Sequence, residues 1–442
     1  MLTSNEYPAT WIEYPEDDGS HASDPDYAAA KKAVIEEFGE QALRESWLQV
    51  CKDLESVTKD IAARKSDAVP IFDGAGILSD GFSQDQQDAV KQRGCFIVRN
   101  VVPKEEIRDL YRGLRQYVGD NRSQIRTWPE GHPVMFVIYD SPTQIALRTH
   151  PNQLKLQEKI NGLWHDDTGA TSMSPLAYSD GVRDRAAGAP FPSFGPHTDA
   201  GSLCRWADPG YRKAYAKVFG GRSREYDAFD LTTRKDANQN LFVGPAHSTV
   251  FRAFQGWTAM TTAGPHEGSI MLYPDVKTAS AYMLLRPFFK PPPDENDIMD
   301  ATKWTFDSES AWFPATPKPH SQQYSRASHP HMRLEDCVVH VPQIQAGDTV
   351  WWHSDMCHAV DPEHKGSENA AVAYIAAVPS TEQNKRYIAE QLKCTLEGRV
   401  PPDFSVGGRG TNMDERKFVG YKGHVGLLEA ARRALGYGTS IS

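Results

Sequence analysis

Apolar residues recur at three- and four-residue steps from Tyr27 to about Arg64: Val34, Ile35, Phe38, Trp47, Leu48, Cys51, Leu54, Val57 and Ile61, with charges between them. That spacing predicts amphipathic helix, because positions three and four apart share one helix face. The pattern stops at Val69-Pro70. Ser83, with Gln86 three positions on, predicts a capped helix start, and Gly94 a stop just past its end. Cys95–Arg99 reads as a short strand, Pro103 opens a helix running to about Val118, and two more helical stretches flank Pro151. After a Pro- and Asp-rich arm at 1–26, residues 27–165 are therefore predicted to be mostly helical.

From about Leu176 to Pro379 the chain changes to short alternating or apolar runs separated by Gly and Pro. Gly201–Trp206, Gly256–Thr262, Gly268–Tyr273, Ala281–Phe289, Cys337–Ile344, Asp348–His353 and Asn369–Val378 each read as strands. Many short strands without alternating helices argue for a sandwich or barrel. Helical pattern returns over Thr381–Leu396 and Val425–Leu435. The expected fold is α+β, with a β core at 166–380 surrounded by the N-terminal helices and a helical region at 381–442.

Composition narrows the function classes. With 39% apolar and 10% aromatic residues among 442, a large core is easily built and wholesale disorder is excluded. Forty-eight basic against 58 acidic residues give a net charge of −10, which offers nothing to a nucleic acid or an anionic membrane. The longest apolar run, Ala370–Val378, falls well short of the ~20 residues of a membrane span. Six scattered cysteines without a C-x-x-C pair suit neither a disulfide framework nor a thiolate zinc site. The first residues hold neither a basic nor an apolar leader segment, so a reduced, cytoplasmic protein is expected. Oligomeric state is not set by anything in the sequence.

Histidines carry the chemistry. His-x-Asp occurs at His165/Asp167, His197/Asp199 and His353/Asp355. His165 follows a predicted helix end, where a solvated cap is expected. Around His197, Phe194-Gly195-Pro196 and Gly201-Ser202-Leu203 read as a strand meeting a turn, and an i,i+2 pair on a strand projects to one face. A second cluster runs from Gly347-Asp348 through Trp352, His353 and Asp355 to His358. His-x-Asp with a distant histidine is the donor set of a facial triad, which leaves three positions on an octahedral metal. At this level His353 and His358 both stand as the third ligand, with Asp355 as a competing carboxylate. His329 and His331, around Pro330, share no carboxylate at their spacing, and Cys357 reads as a small buried hydrophobe.

The Gly-Asp-x-x-x-Trp-His-x-x-x-x-His spacing resembles two strands of the Fe(II)/2-oxoglutarate oxygenase jelly roll. Residues 195–206, 251–259, 281–289, 342–379 and 401–404 are similar to one subfamily, domain-of-unknown-function family 1479, related to phytanoyl-type dioxygenases. The likeness covers about Arg93 to Phe404. It implies a double-stranded β-helix (jelly-roll) core and Fe(II) held by His197, Asp199 and His358, with His358 chosen over His353. It further implies 2-oxoglutarate and O2 as co-substrates, and succinate, CO2 and an oxidised small molecule as products.

Many relatives place an Arg about ten residues after the distal histidine to hold the far carboxylate of 2-oxoglutarate. Here Glu368-Asn369-Ala370-Ala371-Val372 occupies that stretch. A buried dianion needs a cation, best a bidentate guanidinium. Arg183 and Arg185, on a predicted strand, and Arg286, alone in an apolar run, are the candidates, with Arg205 and Lys365 behind them. Trp257 is a candidate to pack against the co-substrate. The core holds more Arg than one co-substrate needs, so an amino acid or other small carboxylate is the expected substrate. Hydroxylation, desaturation and oxidative ring closure all begin with the same hydrogen abstraction. The alternatives are a jelly-roll metal-dependent isomerase or hydrolase that uses no 2-oxoglutarate, and a non-catalytic protein on the same fold.

Overall fold

The computed structural model describes residues 7–14, 19–129, 133–191, 194–244, 248–318, 320–405 and 413–438. The Gly407–Gly410 segment, expected to be a turn, lies outside them.

The N-terminal helical pattern resolves into two helices, Pro25–Phe38 and Glu40–Arg64, divided at Gly39. Gly39 takes φ 83°, a left-handed value that costs a β-carbon-free residue little and ends the first helix. The second helix buries Leu43, Trp47, Val50, Leu54 and Ile61 in one stripe. Trp47 anchors it, with its ring stacked 4.4 Å from Phe289 and its indole N–H donated to the Ala301 carbonyl. The Ser83/Gln86 capping box is present, and Gly94 ends that helix at φ 71°. A β-carbon on Gly94 would lie 2.7 Å from Val276 and 2.9 Å from Met356, so the position needs glycine for space as well as for conformation.

Two sheets form the centre. The larger has the strand order Ile71–Asp73, Cys95–Arg99, Thr349–His353, Phe254–Ala259, Ala370–Ala377, Val182–Arg185, Met135–Phe136, Thr127–Trp128. The smaller runs Gln322–Gln323, His197–Thr198, His358–Val360, Ile270–Leu272, Val339–His340. All pairings are antiparallel except Ile71–Asp73 with Cys95–Arg99. Phe254–Ala259, Thr349–His353 and most of Ala370–Ala377 are buried, which is why the last of them reads as an apolar run without alternation. The mostly helical N-terminal region supplies four strands of the larger sheet, and one apolar cluster extends from Trp11 to Phe418. The C-terminal helix Glu382–Glu397 starts at its Thr381 cap. Among the described residues no helix is long and apolar enough to cross a membrane.

Two expected strands are not strands. Over 281–289 the chain forms the helix Lys277–Leu285, then a 3-10 turn, Arg286–Phe288. An unbroken apolar run has no period to separate helix from strand. The local chemistry decides, because the Asp275 carboxylate accepts the Thr278 and Ala279 amides at 2.8 and 2.9 Å and starts the helix. Arg286 thus sits at a helix end, not within a strand. Over 201–206 the chain turns through positive φ at Ala200, Gly201 and Ser202 and enters a short helix, Cys204–Ala207. All six cysteines are free and buried.

Candidate metal centre

His197 and His358 are direct partners in the smaller sheet, so antiparallel register brings together residues far apart in sequence. The Gly195 carbonyl accepts from His197 Nδ1 at 2.7 Å, and the Met356 carbonyl from His358 Nδ1 at 3.1 Å. A carbonyl can only accept, so each Nδ1 carries the hydrogen and each Nε2 presents a lone pair. Asp199 lies one residue beyond the strand, where the positive-φ turn begins. Its Oδ1 is 3.5 Å from His197 Nε2 and its Oδ2 is 3.4 Å from His358 Nε2. One donor atom from each of the three lies within 4.8 Å of the other two. Ser321 Oγ donates to Asp199 Oδ1 at 3.4 Å.

Burial pushes the Asp199 carboxyl up, but hydrogen bonds and charge from His197 and His358 outweigh it and hold the group well below the usual carboxylate range. Burial, and then the neighbouring His197, lower the pKa of His358. Two neutral-capable imidazoles and an ionised carboxylate on one side of a point fit a six-coordinate divalent ion and leave three positions open.

A cavity of about 360 Å³ between the sheets opens onto this cluster. Small-molecule sites span ~300–1,000 Å³, so this one is small. The larger sheet contributes Arg183, Gln255, Trp257, Trp352 and Tyr374 to its lining, and the smaller sheet contributes Ile270, Gln323 and the histidines. A larger cavity, about 670 Å³, lies between the helices Pro151–Asn161 and Glu429–Ala434, away from the cluster. It is lined mainly by aliphatic stems, Lys155, Lys385 and Arg433.

Of the four residues expected beside a co-substrate, Arg183 and Trp257 line the cavity and Arg185 and Arg286 do not. Arg183 is buried, its Nε has no hydrogen-bond partner, and no described carboxylate pairs with it. Arg185 spends its guanidinium on the Ala189, Asp361 and Pro362 carbonyls, at 3.0, 2.7 and 2.9 Å. Arg286 donates to the Ser328 and Phe289 carbonyls and lies 4.5 Å from the Trp304 ring. Arg205 is locked to Asp355 at 2.6 Å, and Lys365 pairs with Glu363 at 2.6 Å on the surface.

The other histidines have structural partners. His353 Nε2 donates to the Ala228 carbonyl and its ring stacks on Trp164. Burial pulls its pKa to about 4. His331 meets the Tyr282 hydroxyl at 3.0 Å, His329 meets Ser328, and His165 bridges Asp167 and Asp227 near the surface. Burial raises the Cys357 thiol, which stays un-ionised.

Sequence reasoning missed Arg252, Asp180 and Tyr178, all of which line the cavity. Arg252 lies 5.7 Å from the Tyr178 ring, and among the described residues no carboxylate pairs with it. Among the described residues the Asp180 carboxylate accepts only the adjacent Gly181 amide, at 2.7 Å, and burial raises its pKa. A readable signal existed for Arg252, a lone charge inside the apolar run Val250–Phe254.

A family model described as Gig2-like matches residues 22–437. The chain is 29% identical over 413 residues to the uncharacterised Escherichia coli K12 protein YbiU, covering 88% of this chain and 93% of that one. Its fold is that of GlcNAc Inducible Gene 2 (GIG2, DUF1479) from Candida albicans, with a TM-score of 0.84 at 23% identity, over 96% of this chain and 90% of that one. A Salmonella typhimurium LT2 structure, named provisionally as an oxidoreductase, gives a TM-score of 0.79 at 25% identity, over 94% and 98%.

Proposed function

The chain belongs to the Gig2-like family, and on that premise we propose that it is a non-haem Fe(II)/2-oxoglutarate-dependent oxygenase of small molecules. The two facing sheets are then a double-stranded β-helix, and His197, Asp199 and His358 are the iron ligands. The observation that carries this reading is the convergence of their three donor atoms within 4.8 Å at the head of a cavity that holds a buried, unpaired Arg183.

Bound together, iron and 2-oxoglutarate supply oxidative decarboxylation to succinate and CO2, coupled to O2 reduction and hydrogen abstraction from the substrate. The chain's own residues bind, orient and exclude water. The Gly195 and Met356 carbonyls fix both imidazoles with Nε2 inward. Arg183 holds the far carboxylate of 2-oxoglutarate, the role expected of an Arg after the distal histidine but filled here from a neighbouring strand. Trp257 and Trp352 wall the site. Arg252 remains as a second cation for the substrate, which favours an amino acid or other small carboxylate. Hydroxylation, desaturation and ring closure are all compatible with this site.

Anaerobic addition of 2-oxoglutarate to the Fe(II)-loaded protein should give a weak visible charge-transfer band, lost in His358→Ala. Iron binding without the band would favour a metal-dependent isomerase or hydrolase. No iron binding to the wild type would remove the reading altogether.

A further inference from the structure

We propose that His266, His340 and Asp361 form a second metal site, for a divalent transition ion of the Zn(II) class. It lies outside the cavity, and the inference is independent of the oxygenase reading.

The strand Ile270–Leu272 is the frame. Val339–His340 pairs with it on one side, with His340 opposite Met271, and His358–Val360 pairs with it on the other, with Val360 opposite Ile270. Asp361 continues that second strand, its amide donating to the Ser269 carbonyl at 3.0 Å. His266 comes from the turn just before the frame strand and takes φ 63°. Three side chains are thereby gathered at one end of the smaller sheet. The rings of His266 and His340 are 4.2 Å apart, His340 Nδ1 is 3.3 Å from Asp361 Oδ2, and one donor atom from each residue lies within 4.8 Å of the others.

A ligand is indicated by what these atoms lack. Asp361 is 1% exposed, and its Oδ1 accepts the Glu363 amide at 3.0 Å. Its Oδ2 and His340 Nδ1 are both buried without a hydrogen-bond partner, because their mutual approach is not aligned for one. A buried carboxylate oxygen without a donor is costly, whereas a cation between it and the imidazoles satisfies all three. The backbone beneath is fixed, since Arg185 donates to the Asp361 and Pro362 carbonyls. Glu363 Oε2, 3.4 Å from His266 Nδ1, can serve as a fourth donor at the rim only by leaving Lys365, with which it pairs at 2.6 Å.

Two imidazoles and one or two carboxylates are a zinc donor set, with bonds of ~2.0–2.2 Å. Tetrahedral donors at that length lie about 3.3 Å apart, the separation His340 and Asp361 already have. His266 has only to close in, and its side chain is about half exposed on a turn.

The test is metal stoichiometry and Zn(II) affinity of the full chain, stripped with a chelator, reloaded with Zn(II) and dialysed. His266→Ala and His340→Ala should each remove one ion per chain relative to wild type, and His358→Ala should leave that ion in place. Outer-shell partners alone are worth ~10–100-fold in metal affinity, so loss of a direct ligand should weaken this site at least ~100-fold. Because His266 is exposed, its replacement in the His358→Ala background should leave the metal-free melting temperature unchanged while abolishing the upward shift on adding Zn(II). Unchanged zinc content and affinity in both variants would overturn the site and leave a simple His340–Asp361 ion pair. Loss of every ion in His358→Ala would overturn it equally.

Discussion

Replacing Arg183 by Met should weaken 2-oxoglutarate binding while leaving the fold intact. A buried guanidinium normally owes its tolerance to carboxylate or carbonyl partners, and removing one side of such a pair costs ~3–5 kcal/mol. Arg183 has no such pair, its Nε is buried without a partner, and it faces a cavity of about 360 Å³. Its desolvation is therefore uncompensated in the ligand-free protein, and an apolar side chain of similar length should be neutral or stabilising. The ligand complex should respond in the opposite direction. Hydrogen bonds to charged groups contribute ~1.5–3 kcal/mol each. At ~1.4 kcal/mol per tenfold, loss of one contact raises the dissociation constant by roughly 10- to 150-fold. Two readouts check this on the same variant, the thermal midpoint of the metal-free protein and an anaerobic 2-oxoglutarate titration of the Fe(II) form. A destabilised protein that binds 2-oxoglutarate within about threefold of wild type would refute the reasoning, since Arg183 would then be a structural cation.

Two further outcomes follow from buried charges away from the cavity. Asp355 accepts from Arg205 at 2.6 Å and from the Tyr215 hydroxyl at 2.9 Å, all buried. Asp355→Ala removes the carboxylate partner of that buried guanidinium and should cost ~3–5 kcal/mol, read as a lowered denaturant midpoint. Glu415 is raised to about 8 by burial and the nearby Asp140, although it accepts the Tyr139 and Asp140 amides. The folded state thus holds this proton more tightly than the unfolded chain, so the contribution is full below about pH 4.5 and fades as pH rises toward 8. Melting temperature should fall across that window, and Glu415→Gln should flatten the fall; an identical pH profile in the variant would refute the assignment.

The elements legible from the sequence were those with a local physical cause. The Ser83/Gln86 box and the Thr381 cap start helices where read, because a side chain within three residues satisfies the free amides. The strands Thr349–His353 and Ala370–Ala377 were visible as buried apolar runs. Ala281–Phe289 looked the same and folds as helix, because burial on all sides erases the periodicity that separates the two. The same loss of signal hid the orientation of the arginines. Arg183 and Arg185 are two residues apart on one short strand, yet one faces the cavity without a partner and the other is consumed by backbone carbonyls.

By itself the sequence determined the donor types, their flanking turns and the α+β class. These depend on side-chain chemistry and on neighbours within a few positions. Only the tertiary structure decided which histidines share a carboxylate, which arginine keeps a free guanidinium, and that Arg252 joins the cavity. Each of those is fixed by the register between strands distant along the chain, and register is a property of the packed sheets rather than of any one segment.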